Sequence, residues 1–564
     1  MDLLTTTPAP AAPLLTHTPG VDRLNPTLTP AQLARVAGHG RGRRVAAGEV
    51  LVQAGERASQ LFVVVEGRID VVQTSAATEE VVATFGPGMF TGEVTMLSGR
   101  RGLAQLRAGA PGEVIEVDRD DLLALIQTDG ELGEILMRAF ILRRVELIAR
   151  GVGDLVVVGS SHCQGTLRVR EFLTRNGHPY TSLDLDRDAG VQELLDRFHV
   201  RPADVPVVIC RGDVVLRNPT NQQIADCLGF NDSIDRTKIR DLVIVGAGPA
   251  GLAAAVYGAS EGLDVLVVES NAPGGQAGAS SRIENYLGFP TGISGQELAA
   301  RAYNQTQKFG AQVMIGEGAA RLTCDRKPYA IEIGNGQRVP ARTVVIATGA
   351  EYRRLPIDSL SRFEGAGVYY AATFMESQLC NGEEVVIVGG GNSAGQAAVF
   401  LAQTARRVHM VIRSEGLADT MSRYLIRRIE DHPAIVRHVR TEIVSFEGNG
   451  HLERVGWRDN QSGRIETHDI RHVFAMTGAV PSTRWLGACL ALDAKGFIKT
   501  GPDLSPEDLA AARWPLPRPP HLLETSLPGV FAVGDVRAGS LKRAASAVGE
   551  GSIAVAAVHQ VLHE

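Results

Sequence analysis

Three glycines near the middle of the chain have the spacing that lets a backbone turn hold a dinucleotide. Gly246, Gly248 and Gly251 follow a short apolar run, and Glu269 ends the next one. In such a turn the first glycine permits the sharp bend, the second lets the backbone approach a pyrophosphate, and the third allows helix and strand to pack closely. Free N–H groups at the helix start favour phosphate, and an acid placed like Glu269 binds a ribose hydroxyl. The residue types therefore predict a dinucleotide site.

A strand, a helix and a second strand must hold these glycines in place. Residues 242–245 and 265–268 are short apolar runs typical of buried strands, and residues 250–261 form a helix of small side chains between them. This order is that of a Rossmann βαβ unit.

A second fingerprint of the same kind follows downstream, between a strand at residues 385–388 and a helix. Two Rossmann folds in one chain indicate two nucleotides, here one flavin and one nicotinamide. The second turn offers Gly389, Gly391, Asn392, Ser393 and Ala394 as nucleotide-binding residues, and Arg413 stands at the end of the strand that follows.

Length and composition limit the number of domains and the classes of partner that we expect. A chain of 564 residues holds roughly four domains by the usual prior. Its net charge of -6 argues against a nucleic-acid partner, and no apolar run is long enough for a membrane span. The six cysteines form neither a Cys-x-x-Cys pair nor a zinc-type cluster, so we expect no metal site and a reducing cytoplasm.

The N-terminal part reads as a lead-in followed by a β-rich unit. Residues 1–29 are rich in Thr, Pro and Ala, which predicts a disordered or loosely docked segment. Residues 30–150 show short alternating strands and then a helical stretch from Asp118. With Gly92-Glu93 after Phe90, this unit resembles a cyclic-nucleotide-binding domain.

The resemblance implies a possible cyclic-nucleotide ligand, with the glutamate on the ribose and an arginine on the cyclic phosphate. Glu93 matches residue by residue, whereas Arg100 and Arg101 come slightly early and Gly102 occupies the expected arginine position. Family members that lost the ligand keep the roll for docking or sensing, so both alternatives stay open.

Residues 151–232 read as a compact βαβ-type unit that resembles a glutaredoxin or thioredoxin domain. Val205-Pro206 matches the cis-proline site of that family. Cys163 falls where the first redox cysteine stands, at a helix start that favours a thiolate, and Thr166 replaces the second. Cys163 is therefore a candidate nucleophile, with an inert adaptor domain as the alternative. We expect Cys210 and Cys227 to be core fillers.

Residues 239–564 resemble the thioredoxin reductase family of flavoproteins, in which an NAD(P) domain is inserted into a split FAD domain. The resemblance places the FAD domain at 239–353 and 476–564 and the NAD(P) domain at 354–475, and it implies a homodimer with a rotating NAD(P) domain. FAD-binding positions follow from the first turn and from motifs matched further on: Gly246, Gly248, Pro249, Ala250, Gly251, Glu269, Gly275, Gln276, Asn285, Thr348, Gly349, Gly534, Asp535, Lys542, Arg543 and Ala544.

One departure from that family removes its usual chemistry. The segment Ala371-Ala372-Thr373-Phe374 stands where the family has its redox Cys-x-x-Cys, and Cys380 is single. Without two thiols this segment has no thiolate to attack a substrate disulfide. Electrons must leave by another route: to Cys163, to an external acceptor such as a quinone or one-electron carrier, or to oxygen.

The chain also departs from that family at the residues that select NADPH or NADH. Arg413 remains after the second strand, but Ser414 and Ala418 replace two arginines that the resemblance leads us to expect, and Glu415 favours NADH. One arginine can still pair a 2′-phosphate, so we favour NADPH and keep NADH open.

Together these patterns predict a multidomain α/β chain: a β-roll with helices, a thioredoxin-like α/β unit and two Rossmann-like domains. We predict an FAD-dependent NAD(P)H oxidoreductase without a redox disulfide in its core, controlled by its N-terminal domains. The alternatives are a disulfide reductase that works through Cys163 and a flavin-based signalling protein.

Overall fold

The computed structural model resolves four bodies along the chain. It describes residues 24–57, 59–75, 78–93, 95–149, 155–160, 163–185, 188, 201, 204–210, 214–417 and 421–564. Across these ranges, no helix combines the length and the apolar character needed to cross a bilayer.

The first body is a β-roll closed by helices. Its strands pair in the order β1-β5-β3-β4, with β2 on β5, and a buried cluster that includes Phe90 and Phe140 fills the space under the helices. Asp129 breaks the predicted helical stretch in two. The elements are α1 (Pro30–Ala37), β1 (Arg41–Val45), β2 (Val50–Val52), β3 (Gln60–Ser75), β4 (Thr78–Phe85), α2 (Thr95–Ser98), β5 (Gln105–Asp118), α3 (Arg119–Thr128) and α4 (Gly130–Ala149).

The predicted lead-in ends in ordered structure. Residues 1–23 lie outside the described part, but Leu28 is buried and its N–H donates to the Gly88 carbonyl at 2.8 Å. The Arg143 Nε donates to the Leu24 carbonyl at 3.1 Å. The prediction of a loose segment is therefore wrong for residues 24–29, because a buried leucine and a buried arginine fasten them to the roll.

The second body is a four-stranded sheet in the order β7-β6-β8-β9, in which β6 is parallel to β7 and antiparallel to β8. The peptide bond Val205–Pro206 is cis, as predicted. A helix predicted at residues 191–200 lies outside the described residues. The elements are β6 (Leu155–Gly159), α5 (Gln164–Arg175), β7 (Thr181–Asp184), β8 (Val207–Cys210), β9 (Val214–Arg217) and α6 (Asn221–Cys227).

The third body is a seven-stranded sheet that joins two distant parts of the chain. Strands β12-β11-β10-β15-β14-β13 pair in that order, and β26 adds to β15 in parallel. Its helices share one apolar core with the second body, including Phe172 and Phe230. The elements are β10 (Arg240–Val245), α7 (Pro249–Ser260), β11 (Val265–Glu269), α8 (Gly275–Gly278), α9 (Gly295–Lys308), β12 (Gln312–Ile315), β13 (Ala319–Thr323), β14 (Tyr329–Ile333), β15 (Arg338–Ile346), α13 (Pro506–Ala511), β26 (Val530–Ala532) and α14 (Ala544–His563).

The fourth body is inserted between β15 and β26. It contains a parallel sheet in the order β17-β24-β18-β19-β20 and a meander β21-β22-β23, and the paired strands β16 and β25 form the crossover. The elements are β16 (Ala350–Tyr352), β17 (Val368–Tyr369), α10 (Phe374–Leu379), β18 (Glu384–Val388), α11 (Asn392–Leu401), β19 (Arg407–Ile412), α12 (Arg423–Asp431), β20 (Ile435–Val439), β21 (Thr441–Glu447), β22 (Arg454–Asp459), β23 (Ile465–His468), β24 (His472–Ala475) and β25 (Ala479–Pro481).

Candidate functional site

The first glycine turn has the backbone that a dinucleotide cradle needs. Gly246 has φ +103°, and a Cβ there would lie 2.4 Å from the Ala347 carbonyl oxygen. A Cβ on Gly251 would lie 1.9 Å from the Gly246 carbonyl oxygen, so only glycine lets α7 approach β10 this closely. Gly248 caps α7, and its N–H end opens toward the cavity. Side chains at Gly246 or Gly251 would clash with these carbonyl oxygens and would force open the tight turn that places backbone N–H groups at a diphosphate.

Glu269 is fixed at the end of β11. Its carboxylate accepts the Ala247 N–H at 2.7 Å and the Asn271 N–H at 2.8 Å. Burial raises the pKa of Glu269, and these backbone donors oppose that rise. The acid therefore stands rigidly beside the turn, in the place where a Rossmann fold binds ribose.

The segment after β11 closes against the first turn. Gly275 has φ +52°, and a Cβ there would lie 3.0 Å from the Gly248 Cα. Gln276 donates to the Ala350 carbonyl, and Asn285 lines the same cavity. The structure thus brings two predicted FAD segments into contact across the cradle.

The crossover and the C-terminal motif complete this side of the cavity. The Thr348 hydroxyl donates to the Ser482 carbonyl at 2.9 Å, and Gly349 follows with φ +65°. The Gly534 N–H donates to the Glu550 carboxylate at 2.7 Å. Burial raises the pKa of Asp535. Lys542, Arg543 and Ala544 line the cavity next to it, with Arg543 at the start of α14.

The second fingerprint forms an equivalent turn in the inserted body. Gly389 has φ +142°, and a Cβ there would lie 2.5 Å from the Met476 carbonyl oxygen. Gly391 caps α11, and the Asn392 side-chain oxygen accepts the Ser422 N–H at 2.8 Å. Ser393 and Ala394 follow on α11 and line the cavity.

The loop after β19 holds the residues predicted to distinguish NADPH from NADH, and one arginine of this loop lines the cavity. Arg413 is exposed and lines the cavity, whereas Glu415 pairs with Arg440 at 2.8 Å. Ala418 lies outside the described residues. The acid that favours NADH is therefore held by a neighbouring arginine.

One cavity of about 2820 Å³ joins both nucleotide cradles. Cys163 and Pro206 of the second body line it together with Ala371 and Ala372. Cys163 is half-buried and caps α5, one turn before Leu167, which packs on the apolar cluster that contains Ala372. Helix α5 therefore lies against the segment where the Cys-x-x-Cys is replaced.

The predicted cyclic-nucleotide residues lie at an interface between bodies. Glu93 faces Arg144 of α4 at 3.7 Å. The Arg100 guanidinium donates to the Tyr303 hydroxyl at 2.7 Å and stacks 4.1 Å from the Phe230 ring centroid, while Arg101 pairs with Asp232 at 2.5 Å. Gly92 has φ +95° at the start of this segment. The two arginines thus contact the neighbouring bodies, and Glu93 is paired within the roll.

Four of the six cysteines form disulfides, Cys210–Cys227 and Cys324–Cys489. Cys210 is buried in the apolar core and Cys227 packs against it, so the prediction that both fill the core is confirmed. The pairs are separated by 17 and 165 positions, and neither spacing matches a cysteine motif from which the pairing could be predicted. Of the two free cysteines, Cys380 is buried, and burial raises the pKa of its thiol to about 12, which leaves it unreactive.

Comparison with known proteins agrees with this geometry. Residues 240–551 match the family of pyridine nucleotide-disulphide oxidoreductases, and residues 42–129 match the cyclic nucleotide-binding domain. The first match covers more than half of the chain, which therefore belongs to the pyridine nucleotide-disulphide oxidoreductase family.

Thioredoxin reductases are among its relatives. The protein from Ureaplasma parvum is 33% identical over 56% of this chain and 95% of its own length, and that from Bacillus subtilis is 31% identical over 58% and 96%. The solved thioredoxin reductase of T. acidophilum superposes with a TM-score of 0.52 at 27% identity, over 58% of this chain and all of that one. The chain is thus an FAD-dependent oxidoreductase of thioredoxin reductase type, and its cradles fit FAD and a nicotinamide dinucleotide.

Proposed function

We propose that this enzyme oxidises NAD(P)H and passes the electrons to an acceptor without a cysteine pair in its NAD(P)-binding body. The observation that carries the proposal is that Ala371 and Ala372, from the segment that replaces the cysteine pair, line the cavity that joins the two cradles. The Thr373 N–H donates to Glu376 at 2.9 Å, so this segment forms an ordinary helix start.

The chain's own residues bind and orient the two nucleotides. FAD bound in the first cradle supplies a store for two electrons between the nicotinamide and the acceptor. Asp535 and Lys542 hold the C-terminal motif together, since the Lys542 ammonium donates to the Asp535 carbonyl at 2.7 Å. The N-terminus of α14 then directs its positive dipole end into the cavity.

When the FAD-loaded protein is mixed with NADPH in the absence of oxygen, we expect the flavin absorbance to be lost. NADPH is expected to act at lower concentration than NADH, because Arg413 faces the cavity and Glu415 is paired. Reoxidation with quinones, one-electron dyes, oxygen and disulfides then identifies the acceptor class. Absence of bleaching with both nucleotides would contradict the proposal.

A second candidate function is disulfide reduction through Cys163. The observation that favours it is the position of this thiol in the same cavity as both cradles, on a helix that packs toward Ala372. In this reaction the Cys163 thiolate attacks one sulfur of a substrate disulfide, and the other sulfur leaves as a thiol. Two electrons from NAD(P)H then cleave the mixed disulfide and release the second thiol. The β7-β6-β8-β9 sheet, with Cys163 at the start of the helix that follows β6, supports a thioredoxin-like role for this body.

We also infer that the N-terminal roll controls the enzyme by docking. Arg101→Glu replaces the ion pair with Asp232, which is partly exposed, by a repulsion between two carboxylates. We therefore expect the contact to weaken and backbone hydrogen exchange at residues 229–233 to become about fivefold faster. Arg107→Glu is the matched control, because Arg107 pairs with Glu79 inside the roll. Equal exchange in both variants would contradict docking through Arg101.

A ligand test separates docking from sensing. A labelled cyclic nucleotide that binds Glu93 must compete with Arg144, which also donates to the Gly177 carbonyl at 2.8 Å in the second body. Binding that disappears in Glu93→Ala would make the roll a nucleotide sensor, and no binding to the wild-type chain would leave it a docking module.

A further inference from the structure

A residue of the second body reaches into the FAD cradle. Arg175, the last residue of α5, donates through Nη2 to the Gly275 carbonyl oxygen at 2.6 Å. The same atom lies 3.4 Å from the position that a Cβ on Gly278 would take, so the guanidinium covers the single turn of α8. Arg175 therefore contacts the flavin-side segment from outside the flavoprotein module.

That contact stands beside the site for the diphosphate. Gly275 touches Gly248, whose free N–H end starts α7, and Arg175 lines the cavity together with both glycines. A helix start of this kind binds the diphosphate of a dinucleotide. The Arg175 guanidinium therefore bonds to a residue that adjoins the helix start expected to bind the diphosphate.

Arg175 is a cation that lies close to two carboxylates in this part of the cavity. Two carboxylates flank it: Glu171 pairs with Arg175 at 3.1 Å, and Glu269 is held at the turn. The charge of Arg175 lowers the pKa of Glu269 against the effect of burial. Arg168 of the same helix also lines the cavity, but its guanidinium donates to the Asn221 side chain and the Pro219 carbonyl, whereas Arg175 donates to the cradle itself.

The two terminal nitrogens of this guanidinium keep donors for a ligand. Nη1 donates to Glu171 and Nη2 donates to the Gly275 carbonyl, and each carries a second N–H group beyond these bonds. The Arg175 Nε is inaccessible from the cavity, so the terminal nitrogens are the groups that would bind a ligand oxygen.

We propose that Arg175 is a positioning residue for the diphosphate of FAD, and that the second body is an integral part of the flavin site. The inference does not depend on the electron acceptor. It explains why this body shares an apolar core with the FAD-binding sheet and why α5 ends against the cradle.

Titration of the full-length apoprotein with ADP tests the proposal, because ADP carries the adenosine and diphosphate groups of FAD. Arg175→Gln is expected to weaken ADP binding about tenfold and to leave adenosine binding unchanged, as charge-assisted hydrogen bonds to phosphate are lost. Arg175→Lys keeps the cation and is expected to lose less than about threefold. Calorimetry gives both affinities without enzyme turnover.

Asn176→Ala is the matched control at the same interface. Asn176 donates to the Asn271 carbonyl at 3.1 Å and carries no charge, so ADP affinity is expected to stay within about twofold. The proposal is overturned if Arg175→Gln binds ADP like the wild-type protein, or if Arg175→Lys or Asn176→Ala loses as much as Arg175→Gln. Should the glutamine variant fail to fold, Arg175→Met, which also removes the cation and keeps the apolar stem, takes its place in the same comparisons.

Discussion

Replacing Cys163 by serine is expected to abolish NADPH-dependent disulfide reduction and to leave the reduction of quinones and dyes intact. The serine hydroxyl is nearly isosteric with the thiol but forms no mixed disulfide, so one route for electrons closes completely. The half-buried thiol at the start of α5 lines the cavity between the two cradles. Steady-state assays with each acceptor class, on the same FAD-loaded preparation, measure the effect.

Cys380→Ser is the matched control for that experiment. Cys380 is the other free cysteine, but it is buried in the NAD(P)-binding body, and its raised pKa keeps it protonated. Its replacement is expected to leave every acceptor activity within about twofold, because a buried thiol behaves as a small apolar side chain. Disulfide turnover that persists in Cys163→Ser would remove the second candidate function, and the leading proposal would stand.

The two dinucleotide turns were fully predictable because their requirements are local. Gly251 must be glycine since its Cβ would meet the carbonyl of Gly246, five residues earlier in the same motif. In the second turn a Cβ on Gly389 would lie 3.3 Å from the Ala394 Cβ of the same motif, although its tightest contact is with the distant Met476 carbonyl. Strand, turn and helix follow each other in sequence, so spacing alone indicates the geometry.

The contacts between bodies were not predictable, because their partners are distant in sequence. Arg100 reads as a phosphate ligand or a solvated turn, whereas its hydroxyl partner Tyr303 lies 203 positions further on. Arg175 and its acceptor Gly275 are 100 positions apart. Spacing carries no information about such pairs, and a basic residue at a helix end is common on any surface.

The position of α5 links the two halves of the flavoprotein. Leu167 packs on the NAD(P)-binding body, and Arg175 bonds to the FAD cradle eight residues later on the same helix. Arg428 of α12 also pairs with Glu284 of the FAD segment at 2.6 Å. The resemblance to thioredoxin reductases implies a rotating NAD(P) domain, and these contacts must break before any such rotation. Helix α5 therefore contacts both bodies and restrains the movement of one against the other.

Removal of the Glu524 carboxylate is expected to destabilise the FAD-binding body by about 3–5 kcal/mol, the usual cost of breaking a buried ion pair. The side chain is fully buried, pairs with Arg518 at 2.7 Å, and accepts the Gly529 N–H at 2.8 Å. Glu524 thereby ties the segment around Arg518 to β26, the strand that precedes Gly534 and Asp535. In Glu524→Ala the arginine and the backbone amide lose their acceptor, and we expect FAD retention to fall with the melting temperature.

Glu564→Gln is the control for Glu524→Ala, because it removes the charge of a carboxylate that is partly exposed. Glu564 pairs with the same Arg518 at 2.5 Å, but its side chain is 37% exposed, so water replaces the lost charge. Its loss is expected to cost at most about 1 kcal/mol, as for other exposed pairs. Thermal unfolding followed by flavin fluorescence compares the two variants directly. Equal destabilisation by both would show that burial of Glu524 does not anchor the strand that carries the Gly-Asp motif.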